Sequence, residues 1–112
     1  MPTLDLPESY LQILKPLLQT YAPDAEVWAY GSRVSGRAHE TSDLDFVLRN
    51  PADLSVPQKK LVDLRAAISE SGLPILVDVM DWARISQGFR EEIKREHVVL
   101  QRQVFKDVKR KV

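Results

Sequence analysis

The sequence contains no cysteine and only two histidines. The lack of cysteine excludes a disulfide framework and thiolate chemistry, and it fits a reducing compartment. Together with the scarcity of histidine it also argues against a zinc site, because zinc in proteins is held mainly by cysteine and histidine side chains. The composition therefore favours a protein of a reducing compartment that has no zinc centre.

The chain also lacks an excess of charge of either sign and a long hydrophobic run. Sixteen basic side chains balance sixteen acidic ones, so no overall field favours nucleic acid or an anionic membrane surface. No apolar stretch is long enough to cross a bilayer, and no basic region leads an apolar run near the N-terminus. These absences predict a cytoplasmic protein. The net charge does not indicate a class of binding partner.

The length of 112 residues predicts a single domain over residues 1–112. Such a domain builds one core and one cleft but has little chain left for holding a large acceptor molecule. A basic tail over about residues 101–112 has two interpretations, a solvated end or a docking segment for an acidic partner surface. A homo-oligomer or hetero-oligomer is compatible with this size.

Alternating and helical patterns predict an α/β fold, a small mixed sheet of three or four strands flanked by helices. Four stretches have strand patterns: Glu26–Tyr30, Asp43–Arg49, Pro74–Met80 and, as a short edge strand, Val98–Leu100. Three stretches have helical patterns: one starting between Asp5 and Pro7, one from a capping box at Ser55–Gln58 to about Ser71, and one from Ile85 to about Glu96. The third strand is mostly apolar, which predicts a central position in the sheet.

Asp43 and Asp45 are separated by one residue on the second predicted strand. Side chains two residues apart on a strand share a face, so the two carboxylates are expected to lie side by side. Two adjacent carboxylates repel each other and are costly to desolvate, and a bound cation offsets that cost. Magnesium suits such a pair because it prefers oxygen ligands. In isolation, an Asp-x-Asp pair favours a solvated acidic surface, because acidic pairs are common on exposed strands and turns.

Gly31 and Ser32 follow directly after the first predicted strand. Glycine allows the backbone to approach an anion closely, and the following amides with the Ser32 hydroxyl are suited to cradle a terminal phosphate. Arg33 is expected to add a charge-assisted contact to the same phosphates. Taken alone, Gly31-Ser32 is also compatible with an ordinary turn.

The segment Gly31 to Ala38, followed after a short loop by Ser42-Asp43-Leu44-Asp45-Phe46, resembles the DNA polymerase beta-like nucleotidyltransferase superfamily, in particular its small minimal nucleotidyltransferase branch. The resemblance extends to about Leu100. It implies that Gly31 and Ser32 form the phosphate-binding turn, and that Asp43 and Asp45 bind two magnesium ions. Asp78 is similar to the third carboxylate of the family, which shares a metal and accepts a proton from the acceptor hydroxyl. The other interpretation of Asp78 is a rim aspartate paired with a basic side chain.

The resemblance also implies a reaction and a partner. Members of the minimal branch are typically encoded beside a small helical partner of the higher eukaryote and prokaryote nucleotide-binding (HEPN) type. Some are antitoxins that transfer AMP from ATP to a tyrosine of that partner, a ribonuclease toxin. Two alternatives stay open from the sequence: a binding module that neutralises its partner by occlusion, and a nucleotidyltransferase acting on a small molecule such as an aminoglycoside.

Overall fold

The computed structural model of the protein describes residues 2–102. Its helices are α1 (Glu8–Tyr21), α2 (Ser32–Ser35), α3 (Leu61–Ser69) and α4 (Gln87–Arg95), with one turn of 3₁₀ helix at Trp82–Arg84. Its strands are β1 (Glu26–Tyr30), β2 (Leu44–Arg49), β3 (Val77–Asp81) and β4 (Val98–Gln101). No described helix combines the length and hydropathy needed to cross a bilayer.

The strands form one mixed sheet in the order β3-β2-β1-β4. Strand β1 pairs antiparallel with both β2 and β4, whereas β2 pairs parallel with β3. The predicted α/β class and mixed sheet are confirmed, as is the edge position of the last strand.

The predicted central position of the third strand is wrong, because β3 lies at the other edge of the sheet. Its apolar run misled the prediction, since only one face of that run is buried. Ile75, Val77 and Val79 pack on the hydrophobic core, while Leu76 and Asp78 are exposed. The strand is therefore half-buried, and one exposed leucine gave it the appearance of a fully buried strand.

Helices α1 and α3 cover one side of the sheet, which we call the apolar face. Its fully buried side chains include Leu14 of α1, Leu64 of α3 and Phe46 at the centre of β2. The alternation of β2 explains the placement, since Leu44, Phe46 and Leu48 all point to this face. Burial of this apolar area supplies most of the free energy that holds the fold.

The opposite side of the sheet carries Asp45 and Asp78, whose positions alternate with the core residues of β2 and β3. We call this side the acid face. A second cluster lies on it, formed by Trp28, Tyr30, Val47, Trp82 and Ile93. Helix α4 contributes Ile93 and Phe89 to this cluster. The acid face therefore has an aromatic centre and an acidic end.

Arg49 lies on the acid face at the far end of β2 from the acids. Its guanidinium carbon is 3.9 Å from the ring centre of Trp28 and 4.5 Å from that of Trp82. Its Nη1 donates to Glu26 Oε1 at 2.9 Å. The cation thus lies against two aromatic rings that are edge-on to each other, which stabilises a charge that is largely removed from water.

Of the boundaries that differ from the sequence prediction, two involve specific hydrogen bonds. The capping box at Ser55–Gln58 is wrong, because α3 begins only at Leu61 and has no side-chain cap. The backbone N–H of Gln58 instead donates to Asp81 Oδ2 at 2.9 Å. At the C-terminal side, Gln101 belongs to β4 and donates to the carbonyls of Ala22 and Ala25. The rest of the predicted basic tail, apart from Arg102, lies outside the described residues.

Candidate active site

The pairing of β2 with β3 places two of the three predicted acids next to each other. Asp45 is the register partner of Asp78 in the parallel ladder, and register partners project from the same face of a sheet. Asp43 precedes β2 by one residue and lies close enough to Asp45 to raise its pKa. The structure therefore brings all three carboxylates to one end of the acid face.

Asp45 is the least exposed of these acids. Burial, followed by the negative charges of Asp78 and then Asp43, raises the pKa of the Asp45 carboxyl from its ordinary value of 3.8 to about 6. Both causes disfavour the ionised form, since the charge loses water and meets like charges. Asp43 and Asp78 are exposed. The cluster thus concentrates negative charge at a half-buried centre, and a cation would relieve that repulsion.

Tyr30 is the neighbour of Asp45 on its other side, paired with it across β1 and β2. Burial, Asp45 and Asp78 all raise the pKa of the Tyr30 hydroxyl, so the phenol keeps its proton. Its ring is held by an edge-on contact with Phe89 of α4, with ring centres 5.6 Å apart. The sequence analysis missed Tyr30, because the pairing with Asp45 is a long-range feature that no local pattern contains.

Gly31 connects β1 to α2 at the same end of the sheet. It has φ of 84° and ψ of −155°, a conformation that is essentially restricted to glycine. A Cβ atom at this position would lie 2.5 Å from Asp45 Oδ2. Gly31 is therefore required twice, once for its backbone conformation and once because the Asp45 carboxylate occupies the space beside its Cα.

Ser32 is the first residue of α2, and the amides of Val34 and Ser35 both donate to the Gly31 carbonyl at 3.0 Å. The first amides of a helix have no acceptor within the helix and are available to an anion. Gly31 contacts Asp45 directly, so the turn and the acids are adjacent. The arrangement suits a ligand that carries phosphates and is bound together with a cation.

Arg33 has a different position from the one expected from the sequence. Its side chain is 3% exposed and donates to four backbone carbonyls, those of Asp5, His39, Glu40 and Ser42. The structure therefore does not support a phosphate contact by Arg33. The residue instead fastens the loop that ends at Ser42, directly before Asp43, to the N-terminal segment. It acts as a positioning residue for that acid.

The chemistry of the three carboxylates fits a hard divalent cation such as Mg²⁺. Among residues 2–102, however, no three acidic or histidine side chains are grouped closely enough to form a complete metal-binding set. Repulsion between like charges keeps the side chains apart, while the strand register keeps their backbones together. The register is the fixed part of this arrangement, because side-chain rotation is easy for the exposed Asp43 and Asp78 whereas a change of register is not.

A mixed four-stranded sheet with two acids at adjacent strand positions, next to a Gly-Ser turn, is the arrangement expected for a nucleotidyltransferase. The sequence matches the family described as nucleotidyltransferase domain over residues 11–111. The chain belongs to this family and is an enzyme of that class.

The proteins to which this chain is similar include the following two. One is the probable protein adenylyltransferase MntA of Haemophilus influenzae (strain ATCC 51907 / DSM 11121 / KW20 / Rd), which is 44% identical over 100 residues, covering 88% of this chain and 84% of the relative. The other is a chain from a crystal structure of a toxin-antitoxin with AMP-PNP, with a TM-score of 0.66 and 21% identity over 87% of this chain and 76% of the other. At that identity the second likeness supports the fold alone.

Proposed function

We propose that the protein is a Mg²⁺-dependent adenylyltransferase that moves AMP from ATP to a tyrosine hydroxyl of a HEPN-type toxin and thereby acts as its antitoxin. The observation that carries this proposal is the Asp45–Asp78 register pair beside the Gly31-Ser32 turn. The relative named a probable protein adenylyltransferase supports the choice of a protein acceptor. A cytoplasmic location is part of the proposal, since ATP and Mg²⁺ are plentiful there.

In the proposed reaction the acceptor oxygen attacks the α-phosphorus of ATP. A new P–O bond to the acceptor forms, the bond from the α-phosphorus to the bridging oxygen breaks, and pyrophosphate leaves. The acceptor hydroxyl gives its proton to the Asp78 carboxylate, which is exposed and therefore reachable from outside. Held by Asp43, Asp45 and Asp78, Mg²⁺ would neutralise charge on the phosphates and on the departing pyrophosphate.

Gly31 and Ser32 are proposed to bind the terminal phosphates. The backbone at Gly31 leaves room for an anion because it carries no side chain, and Ser32 offers both a hydroxyl and an amide at the start of α2. Tyr30, which keeps its proton, is a neutral donor facing the acids. It adds no further negative charge where phosphates are expected to lie.

The test is to incubate the protein with ATP, Mg²⁺ and the toxin encoded by the neighbouring gene. Intact-mass and peptide mass spectrometry then show whether AMP is added and to which residue. The wild type is compared with the double variant Asp43→Asn, Asp45→Asn, and Asp63→Asn on α3 is the matched control, since it removes an exposed carboxylate remote from the sheet end. We expect the double variant to lose at least about a thousandfold in rate and the control to keep the wild-type rate.

The outcomes separate the competing functions. Equal inhibition of the toxin by the wild type and the double variant, without any added AMP, means that the protein acts by occlusion and refutes the enzymatic proposal. Transfer of AMP to an aminoglycoside added to the same mixture, with no change in the toxin's mass, means that the acceptor is a small molecule.

A further inference from the structure

Leu76 is an unusually exposed apolar side chain. It is 74% exposed, whereas the other aliphatic residues of its segment, Ile75, Val77 and Val79, pack on the apolar face. A single exposed leucine on a protein surface is ordinary and needs no explanation. What distinguishes Leu76 is its position relative to the three acids.

Leu76 precedes β3 by one residue, and the alternation of β3, extended by that residue, puts Leu76 on the acid face. Val77 and Val79 point to the core, so the residues at even positions, Leu76 and Asp78, project to the opposite side. The two lie about 7 Å apart along the strand, twice the rise per residue. Leu76 therefore has Asp78 as its nearest neighbour along the same face.

Asp43 and Leu76 each precede their strands, β2 and β3, by one residue. The amide of Leu44 donates to the Leu76 carbonyl at 2.9 Å, and Leu44 is paired with Val77. Extending this register by one residue before both strands places Asp43 opposite Leu76. The sheet end thus presents an exposed leucine next to three carboxylates, with the buried Tyr30 behind Asp45.

This leucine has no evident use in binding the phosphates of a nucleotide, since anions and cations gain nothing from an aliphatic contact. An acceptor tyrosine differs, because its hydroxyl must reach Asp78 while its aromatic ring stays beside it and loses water on binding. We propose that Leu76 contacts the aromatic ring of the acceptor and makes the enzyme select tyrosine over serine or threonine. This inference rests on the proposed function, and it names the substrate feature that the site recognises.

The direct test is the variant Leu76→Ser with Val62→Ser as its matched control. Val62 is 75% exposed and lies on α3, which covers the apolar face. Initial rates of AMP transfer are measured over a range of toxin concentrations. We expect Leu76→Ser to lower kcat/KM by about tenfold, the loss given by one buried aliphatic contact, mainly through a higher KM. Val62→Ser should stay within about twofold of the wild type.

Two further measurements separate recognition from a structural role. Leu76→Met keeps an apolar side chain of similar size and should restore at least half of the wild-type kcat/KM. Binding of ATP with Mg²⁺, measured by calorimetry, should be the same for the wild type and Leu76→Ser. If Leu76→Ser binds ATP more weakly, the leucine contacts the nucleotide and the inference is overturned.

A double-mutant cycle gives the sharpest result. The modified tyrosine is first mapped by mass spectrometry and then replaced by serine in the toxin. Leu76→Ser should cost about tenfold against the tyrosine acceptor and less than about twofold against the serine acceptor. Equal losses against both acceptors would overturn the inference while leaving the proposed function intact. A wild-type enzyme that modifies no toxin residue would refute the proposed function and the inference together.

Discussion

The two faces of the sheet are built from alternate residues of the same strands, yet only one of them carries carboxylates among its strand residues near the Gly-Ser turn. Phe46 and its neighbours on the apolar face are fully buried under α1 and α3. One residue away along β2, Asp45 points to the other face, where burial and then the negative charges of Asp78 and Asp43 raise its pKa. The core beneath α1 and α3 and the carboxylates of the candidate site therefore lie on opposite sides of one sheet. The comparison teaches that the acid face is maintained at a cost in stability that the apolar face offsets.

The largest expected effect on stability comes from the apolar face. Phe46 is 0% exposed, so Phe46→Ala removes buried area and leaves a cavity, and it should lower the free energy of unfolding by about 3–5 kcal/mol. Phe89, partly buried on the acid face, is the comparison. Phe89→Ala should cost about 1–2 kcal/mol, the lower part of the ordinary range for single substitutions. Urea unfolding followed by circular dichroism measures both, and equal losses would contradict the division between the faces.

The next largest effect on stability is expected at Gly31, the first residue of the Gly-Ser turn. Gly31→Ala should lower the free energy of unfolding by about 2–4 kcal/mol, because the backbone conformation is strained for alanine and the new Cβ collides with Asp45. Gly36→Ala is the control, since Gly36 also has positive φ but nothing lies within 4 Å of its missing Cβ. It should cost about 1 kcal/mol. Equal losses in thermal unfolding would show that the collision with Asp45 is unimportant.

A smaller effect is expected at Arg49, whose guanidinium contacts the rings of Trp28 and Trp82. Arg49→Lys keeps the positive charge but loses the planar group, so it should lower the free energy of unfolding by about 1–2 kcal/mol. The control is Arg37→Lys on an exposed loop, which should change stability by less than about 0.5 kcal/mol. An Arg49→Lys variant as stable as the wild type would mean that charge alone stabilises this cluster.

The smallest effect is a gain in stability at Asp45. Its pKa is about 6 in the folded chain and 3.8 ordinarily, so between these values the folded state binds more protons than the unfolded state. Raising the pH through this interval therefore lowers the free energy of unfolding. The shift corresponds to about 3 kcal/mol, which solvent screening at a half-exposed group reduces to about 1 kcal/mol.

Asp45→Asn should accordingly stabilise the metal-free protein by about 1 kcal/mol near neutral pH, and the gain should vanish at about pH 4. Urea unfolding at both pH values measures this. Glu92→Gln, an exposed change on α4, should show no such pH dependence. A loss of stability in Asp45→Asn at neutral pH would contradict the view that this carboxylate is repelled by its neighbours.

The sequence predicted those features that depend on local pattern. Strand β1 begins and ends where the apolar run between Asp24 and Gly31 does, and the alternation around Asp43 and Asp45 placed both acids on one side of β2. The spacing from Gly31-Ser32 to these acids was sufficient to identify the family. Periodicity and turn chemistry carry this information because they act within a few residues.

Features set by long-range contacts were not predictable. The edge position of β3 depends on strand order, which its apolar composition does not encode. Asp78 therefore lies exposed on an edge strand, where the ladder still pairs it with Asp45. Arg33 was expected at a phosphate because of its place after Ser32, but the carbonyls that surround it come from Asp5 and from residues 39–42.

The central claim is that the carboxylates at the sheet end bind Mg²⁺ together with ATP, and thermal unfolding tests it most directly. Mg²⁺ and ATP at a hundredfold excess over Kd should stabilise the wild type by about 2.7 kcal/mol, seen as a higher Tm. The Asp43→Asn, Asp45→Asn variant, which folds without its repelling charges, should show no increase, while Asp63→Asn should behave as the wild type. The same increase in the double variant, or none in the wild type, would contradict the account.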